Sequence, residues 1–449
     1  MIVMYSNILK KIKPSREEEE ELKRISGEII KEIREIAKNI DSRIKVELLG
    51  SCSRNTWLRY EKDIDIFLIF PQEYPKDKLE KIVERIGAKV LKNLQKKYAE
   101  HPYVKGEYKG YEVEIVPCYA CKSAENIISA VDRTPFHNEF VKKNISGKED
   151  EVRLLKQFLK GISCYGAEAK VEGFSGYLCE LLVIKYGSFE NVLKNASKWK
   201  FGEVIQLDEK KLRKKFSSAL IFIDPVDKNR NVASALSEEK LALFIYASKQ
   251  FLKQRKETFF FPKERKISKE EVLIKFKERR TELIAIIFSK PDVVDDVLYP
   301  QLKKFIKNIK KVLKENEFFV EGIFFSVEKE KVAVFIELRS IEIPRAKLHF
   351  GPFVNSSHES NFLNKYKNSA IKLTEPFILG KRWAIVLKRK HNNAISFLKE
   401  FLKGEEGIPK HIKRELRKGF KIKCNEAAFV KEFLLDITNY FDPKFPWEF

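Results

Sequence analysis

The stretch Asp63-Ile64-Asp65-Ile66-Phe67-Leu68-Ile69-Phe70 alternates acid with isoleucine and then turns fully apolar. That is the pattern of a strand whose far end is buried on both faces and whose near end opens at the rim of a sheet. Residues two apart in a strand point the same way, roughly 6.6 Å apart along it. Asp63 and Asp65 therefore face one side while Ile64 and Ile66 go to the core. A lone Asp-x-Asp is usually polar alternation on an exposed edge. Here the apolar run makes the strand central, and two unpaired acids at its end are costly without a cation. Hard oxygen donors on one side make a site for Mg²⁺.

A third acid belongs with them. Tyr111 to Val116 reads Tyr-Glu-Val-Glu-Ile-Val, a strand with Val113 and Ile115 inward and Glu114 outward. Glu112 shares that face but lies nearer the turn. If the two strands are neighbours, Asp63, Asp65 and Glu114 form a three-carboxylate cluster. Such a cluster can hold two metal ions about 3.5–4 Å apart, the arrangement that clamps the attacking and leaving oxygens of phosphoryl transfer. Before it comes Gly50-Ser51-Cys52-Ser53-Arg54-Asn55-Thr56, a turn into a short helix. Its backbone N–H groups and hydroxyl suit a phosphate. Gly-Ser alone is a weak signal; twelve positions before Asp63, with Arg54 following, it is more specific.

Composition points the same way. The 449 residues are too many for one ordinary core, so several domains are expected. Lys and Arg number 88 against 65 Asp and Glu, a net charge of +23. That excess implies a polyanionic partner, RNA or DNA. No run of 18 apolar residues offers a membrane span, and the charged N-terminus lacks the features of a signal peptide. A cytoplasmic protein is expected. The six cysteines include one Cys-x-x-Cys, Cys118 and Cys121, with no second pair to complete a zinc site. They read as reduced, packed thiols. Abundant Glu, Lys and Ile, with Met only at Met1 and Met4, is a composition common in thermophiles.

Along the chain, Ser15 with the acids from Glu17 caps a helix to about Ile40, and Lys78 to Tyr98 reads as an amphipathic helix. Strands are expected at Ile44 to Leu49, Tyr103 to Tyr108 and Tyr111 to Val116, the last two joined at Lys109-Gly110. From Glu151 to about Pro262 the pattern is mostly helical, with a strand-like Leu220 to Ile223. Beyond it, strands at Leu283 to Phe288, Phe319 to Val327, Val332 to Leu338 and Trp383 to Leu387 alternate with helices at Leu298 to Leu313 and Ser356 to Tyr366. That order, β-α-β-β-α-β, is ferredoxin-like. Two or three helices are expected after Asn392.

With these residues in place the chain resembles the nucleotidyltransferase superfamily of DNA polymerase β. More closely it resembles the archaeal (class I) CCA-adding tRNA nucleotidyltransferases. The resemblance rests on GSCSRNTWL from Gly50, AEHPYV from Ala99, VEIVPCY from Val113, SAVDRTPFH from Ser129 and EVRLLK from Glu151. It continues with YGAE from Tyr165, GFSGYLCELL from Gly173, DPVDKNRNVA from Asp224 and KPDVVDDVLYPQL from Lys290. It implies an α+β, multidomain chain: a polymerase-β-like catalytic head over 1–149, a helical neck for nucleotide and base recognition over 150–262, a ferredoxin-like tRNA-binding body over 263–390 and a helical tRNA-binding tail over 391–449. It implies addition and repair of the 3′-terminal CCA of tRNA from CTP and ATP with Mg²⁺. Pairing into a homodimer is left open.

Carried over residue by residue, the metal ligands fall on Asp63, Asp65 and Glu114. The family more often has Glu first and Asp third, so the lengths are reversed here and Glu114 reaches one methylene further. The nucleotide contacts fall on Ser51, Arg54, His137, Lys156 and Tyr165, with Arg230 reading the base edge. Taken without the resemblance, Tyr165 reads as a core aromatic, His137 as a capping or core histidine, Lys156 as a solvated charge and Arg230 as the partner of Asp224 or Asp227. The segment from Gly173 reads as helix packing. Lys303, Lys304, Lys307, Lys310, Lys311 and Lys314 line one helix opposite Phe305, Ile309 and Leu313 and suit RNA backbone. The rival readings are another RNA nucleotidyltransferase, such as a poly(A) polymerase, and a non-catalytic RNA-binding protein.

Overall fold

Ser15 starts the first long helix as its side chain promises: its hydroxyl accepts from the Glu18 N–H, and the Glu18 carboxylate accepts from the Ser15 N–H. Such a cap contributes about 1 kcal/mol and sets where the helix begins. The structure, a computed structural model, describes residues 2–61, 63–98, 102–208, 216–404 and 406–449. Ala99, Glu100 and His101 of the AEHPYV string lie outside the described residues. The chain divides into two compact units, Met1–Arg265 with Phe445–Phe449, and Lys266–Lys444.

The first unit begins with helices α1 (Ile2–Ile12) and α2 (Arg16–Ile40). Strand β1 (Lys45–Leu49), helix α3 (Gly50–Ser53), strand β2 (Asp63–Phe70) and helix α4 (Lys76–Val90) follow. Strands β3 (Lys92–Tyr98), β4 (Pro102–Tyr108) and β5 (Tyr111–Tyr119) complete a five-stranded sheet of order β1-β2-β5-β4-β3. The β2 strand is interior, antiparallel to β1 and parallel to β5. Its Ile64, Ile66, Leu68 and Phe70 pack with α2 and α4, while Phe67 and Ile69 share the opposite face with Val116 and Cys118 of β5. The two acids of β2 lie on that second face. The β4–β5 turn is made by Lys109 and Gly110, both at positive φ, a conformation that glycine adopts freely.

Helices α5 (Thr134–Ile145), α6 (Glu149–Gly161), α7 (Gly176–Tyr186), α8 (Phe189–Ala196) and α9 (Glu238–Gln254) form the rest of this unit with strands β6 (Glu203–Ile205) and β7 (Leu220–Phe222). Phe158, Phe189, Phe244 and Phe251 meet edge-on at its centre.

The second unit runs α10 (Lys269–Arg279), β8 (Glu282–Ser289), α11 (Asp295–Glu315), β9 (Val320–Val327), β10 (Lys331–Leu338), β11 (Ala346–Phe353) and α12 (Glu359–Lys367). It ends with β12 (Phe377–Leu379), β13 (Arg382–Lys388), α13 (Ala394–Lys403), α14 (Lys410–Lys418), β14 (Phe420–Cys424) and α15 (Leu434–Phe441). An antiparallel sheet of order β14-β8-β10-β9 carries the ferredoxin-like arrangement.

Two expectations are corrected here. The helix expected to reach Tyr98 stops at Val90, and Lys92–Tyr98 pairs with β4 instead. The helical spacing Leu79, Ile82, Val83, Ile86 ends there, and Asn93 takes a positive φ. The edge of β4 offers backbone partners that local helix propensity does not outweigh. The fourth strand of the ferredoxin-like sheet is β14, not Trp383 to Leu387. That segment, β13, is the middle of a separate three-stranded sheet, β11-β13-β12, inserted between β10 and α14. So the stretch expected as an all-helical tail contributes a strand to the body's sheet.

Candidate active site

Parallel pairing of β2 with β5 places Asp63 opposite Glu112 and Asp65 opposite Glu114. Four carboxylates thus share one face at the rim of the sheet. Burial, then a hydrogen bond and repulsion from Glu112, push the Asp63 carboxyl up to about 7. Burial, then the charge of Glu114, push Asp65 up to about 6. The ammonium of Lys105, on β4, lies between two of the acids, 2.9 Å from Glu112 and 3.2 Å from Glu114. Lys105 had no signal in the sequence.

The donor set fits a hard divalent cation: all oxygen, clustered, partly desolvated and in need of positive charge. Among the described residues no three acidic, histidine or cysteine side chains already close into a coordination shell. Register holds Asp65 and Glu114 on adjacent strands, about 4.8 Å apart; to share a cation their side chains would have to rotate, and Glu114 would have to leave Lys105. Gly50 keeps the space clear. It has φ +74°, and a Cβ there would fall 1.9 Å from Oδ2 of Asp65.

Ser51 follows in α3, and its hydroxyl has no protein partner among the described residues. Arg54 closes that turn. Its Nε donates to Glu180 of α7 at 2.9 Å and its Nη1 to Asn138 of α5 at 3.0 Å. Lys156 is not the solvated charge its helix position suggests. It is buried, and its Nζ donates to the Thr56 carbonyl at 2.9 Å. Tyr165 packs against the aromatic core with the Lys160 ammonium over its ring, and burial raises its phenol well above the usual range. Its hydroxyl reaches the start of α7, where a Cβ on Gly176 would meet it at 3.2 Å and the Lys156 Nζ at 3.7 Å. The GFSGYLCELL segment therefore does pack closely, and it also brings Tyr165 and Lys156 together.

His137 lies in the first turn of α5, stacked on Tyr177 with ring centroids 4.1 Å apart. Its Nε2 is 2.8 Å from Oδ2 of the buried Asp224, which also accepts from Arg230 Nη1 at 2.9 Å. Burial alone would raise the Asp224 carboxyl, but His137 and Arg230 outweigh it and hold it low. Arg230 thus pairs with Asp224, while Asp227 is taken by Arg133 at 2.7 Å. Asp224, Tyr177, Asn138 and Glu180 were not singled out as site residues from sequence. For Glu180 a signal existed: a lone acid within an otherwise apolar helix needs a buried partner.

In the second unit, Lys304, Lys307, Lys310, Lys311 and Lys314 are exposed on α11 and Lys303 is partly so. Phe305, Ile309 and Leu313 are buried on its other face.

A glycine turn, paired carboxylates on a mixed sheet and a helical unit packed against it define a polymerase-β-like nucleotidyltransferase. Three family models agree, each over part of the chain: a nucleotidyltransferase domain over 30–137, a tRNA nucleotidyltransferase second domain over 150–261 and a CCA-adding enzyme C-terminal domain over 279–425. The CCA-adding enzyme of Methanosarcina mazei is 40% identical over 92% of both chains. That of Methanocaldococcus jannaschii is 40% identical over 95% of this chain and 96% of its own, and that of Methanothermobacter thermautotrophicus 36% over 99% of both. The chain belongs to the CCA-adding enzyme family.

Proposed function

We propose that this enzyme builds and repairs the 3′-terminal CCA of tRNA from CTP and ATP, without a nucleic-acid template, releasing pyrophosphate. One observation carries the reading: the Asp65–Glu114 register beside the Gly50-Ser51 turn, in a chain related to CCA-adding enzymes along nearly its whole length. A divalent cation, Mg²⁺ in our reading, held by Asp63, Asp65 and Glu114 would lower the pKa of the attacking tRNA 3′-hydroxyl and neutralise the departing pyrophosphate.

The chain's own groups do the rest. Ser51 and the N–H groups of α3 receive phosphate oxygens. Arg54 adds a fixed guanidinium. Lys156 and Tyr165 brace the wall of the site, with Lys156 acting on the triphosphate as a nearby charge. Arg230, held by Asp224 and still one-third exposed, offers its remaining donors to the Watson–Crick edge of the incoming base, and His137 shares that anchor. The head, 1–149, carries the chemistry and the neck, 150–262, recognises nucleotide and base. The body, 263–390, holds tRNA through α11, and the tail, 391–449, adds to that grip.

The open apolar face of β11, β12 and β13, with Leu348, Phe350, Phe353 and Leu379 exposed, suits pairing of two copies. Among the described residues no helix is long and apolar enough to cross a membrane. The cysteines are all free, which suits a cytoplasmic enzyme.

Asp65→Ala tests the chemistry. It removes one metal ligand and no basic surface, so nucleotide addition should be lost while the tRNA Kd stays within a few-fold. Wild-type addition rates in that variant contradict the assignment.

A further inference from the structure

One buried charge has no part in the chemistry above. Glu180 of α7 is fully buried. Its Oε1 accepts from Arg54 Nε at 2.9 Å and from the Thr56 hydroxyl at 2.5 Å, while its Oε2 is enclosed without a hydrogen-bond partner among the described residues. A buried carboxylate with one oxygen unmet is a poor way to pack two elements, because an apolar side chain of similar size does it at less cost. Packing is also already provided for. Arg153 donates to the Asn55 and Trp57 carbonyls and Lys156 to the Thr56 carbonyl, so the main chain of this loop is fastened to α6 without Glu180.

Besides the Thr56 hydroxyl, what Glu180 holds, together with Asn138, is the side chain of Arg54. Glu180 takes Nε, and Asn138 takes Nη1 while also accepting from the Ser53 hydroxyl at 2.7 Å. Nη2 has no protein partner among the described residues. Two of the guanidinium's three nitrogens are thus fixed from α5 and α7, and one is left. A guanidinium fixed before its ligand arrives loses less freedom on binding it.

We propose that Glu180 is a positioning residue for the nucleotide: from α7 it fixes Arg54 so that the free nitrogen meets the triphosphate of CTP or ATP. This rests on the reading of Arg54 as a phosphate contact. It makes the helical half of the unit part of the phosphate site, and it acts alike on both nucleotides because their triphosphates are the same.

The test is a double-mutant cycle in the full-length enzyme, with R54A, E180A and R54A/E180A, and E180Q alongside. The readouts are kcat and KM for CTP and for ATP on tRNA lacking its 3′ end, tRNA Kd and thermal melting. E180A should raise both nucleotide KM values by roughly 10- to 100-fold and leave the tRNA Kd unchanged. E180Q keeps an acceptor oxygen for Arg54 and should recover much of that loss. The double variant should be no worse than R54A, since Glu180 has nothing to position once Arg54 is gone. If R54A leaves nucleotide KM unchanged, the phosphate role of Arg54 is wrong. If R54A is impaired but E180A is not, or the two losses multiply, Glu180 only packs the helix and the inference is overturned. Should E180A fail to fold, E180M, of similar volume, replaces it in the same cycle.

Discussion

Asp63 and Asp65 are carboxylates whose charged forms the fold disfavours. Their carboxyls stand at about 7 and about 6, against about 3.9 in an unfolded chain. The native state therefore binds more protons than the unfolded one between those values. It follows that cation-free stability falls as pH rises from about 4 to about 7. Binding a cation displaces those protons. Apparent Mg²⁺ affinity should accordingly climb from about pH 5 and level off above about pH 7. Calorimetry in buffers of different ionisation enthalpy should register proton release at the lower end. A pH-independent affinity would mean that these acids do not bind the metal. At this scale the alternation of Asp63 and Asp65 was legible, and so was the neighbouring acidic strand, whose Glu112 and Glu114 lie in register with Asp63 and Asp65. Lys105 and Asn138 were not, because each acts through a fold that brings distant segments together. Nor was Lys156, whose apolar neighbours in α6 do not reveal that its ammonium turns inward to a carbonyl.

Among the elements, α3 is the least forgiving. Gly50 combines a positive φ with a close approach to Asp65, so Gly50→Ala carries both backbone strain and a collision at a carboxylate of the proposed metal site. Its kcat at saturating CTP should drop about 100-fold, the cost of displacing a reacting group by about 1 Å. A melting temperature that falls while kcat holds would place the effect in stability alone. Helix α11 is the proposed tRNA contact. Lys307→Ala with Lys311→Ala should flatten the log–log salt dependence of tRNA binding by about two units, one for each lost phosphate contact. Nucleotide KM should stay put. An unchanged slope would take α11 off the RNA surface. Strong periodicity made α2, α9 and α11 readable. Strand β3 was not, since Lys-Asn-Leu-Gln-Lys-Lys-Tyr has no β-branched residue and becomes a strand only because β4 pairs with it. Strand β14 was hidden likewise: five residues completing a sheet whose other members lie about eighty positions or more before it.

For the whole molecule, a net charge of +23 favours a polyanionic partner regardless of its sequence, and the proposed reading places discrimination among the four nucleotides in the first unit, with the carboxylates and Arg230. Where sequence suggests four parts, the chain forms two compact units: 1–149 and 150–262 fall in the first, and most of 263–390 and 391–449 in the second. The most direct measurement gives the purified enzyme, Mg²⁺ and a tRNA transcript ending before its CCA, with each nucleoside triphosphate supplied alone and then CTP with ATP together. Extension should be read at single-nucleotide resolution. The account predicts two additions with CTP alone, one further A when ATP is present, then arrest, and no extension in the Asp65→Ala enzyme. Untemplated runs of A from ATP alone would make the chain a polymerase of another kind, and extension by the Asp65→Ala enzyme would place the chemistry elsewhere.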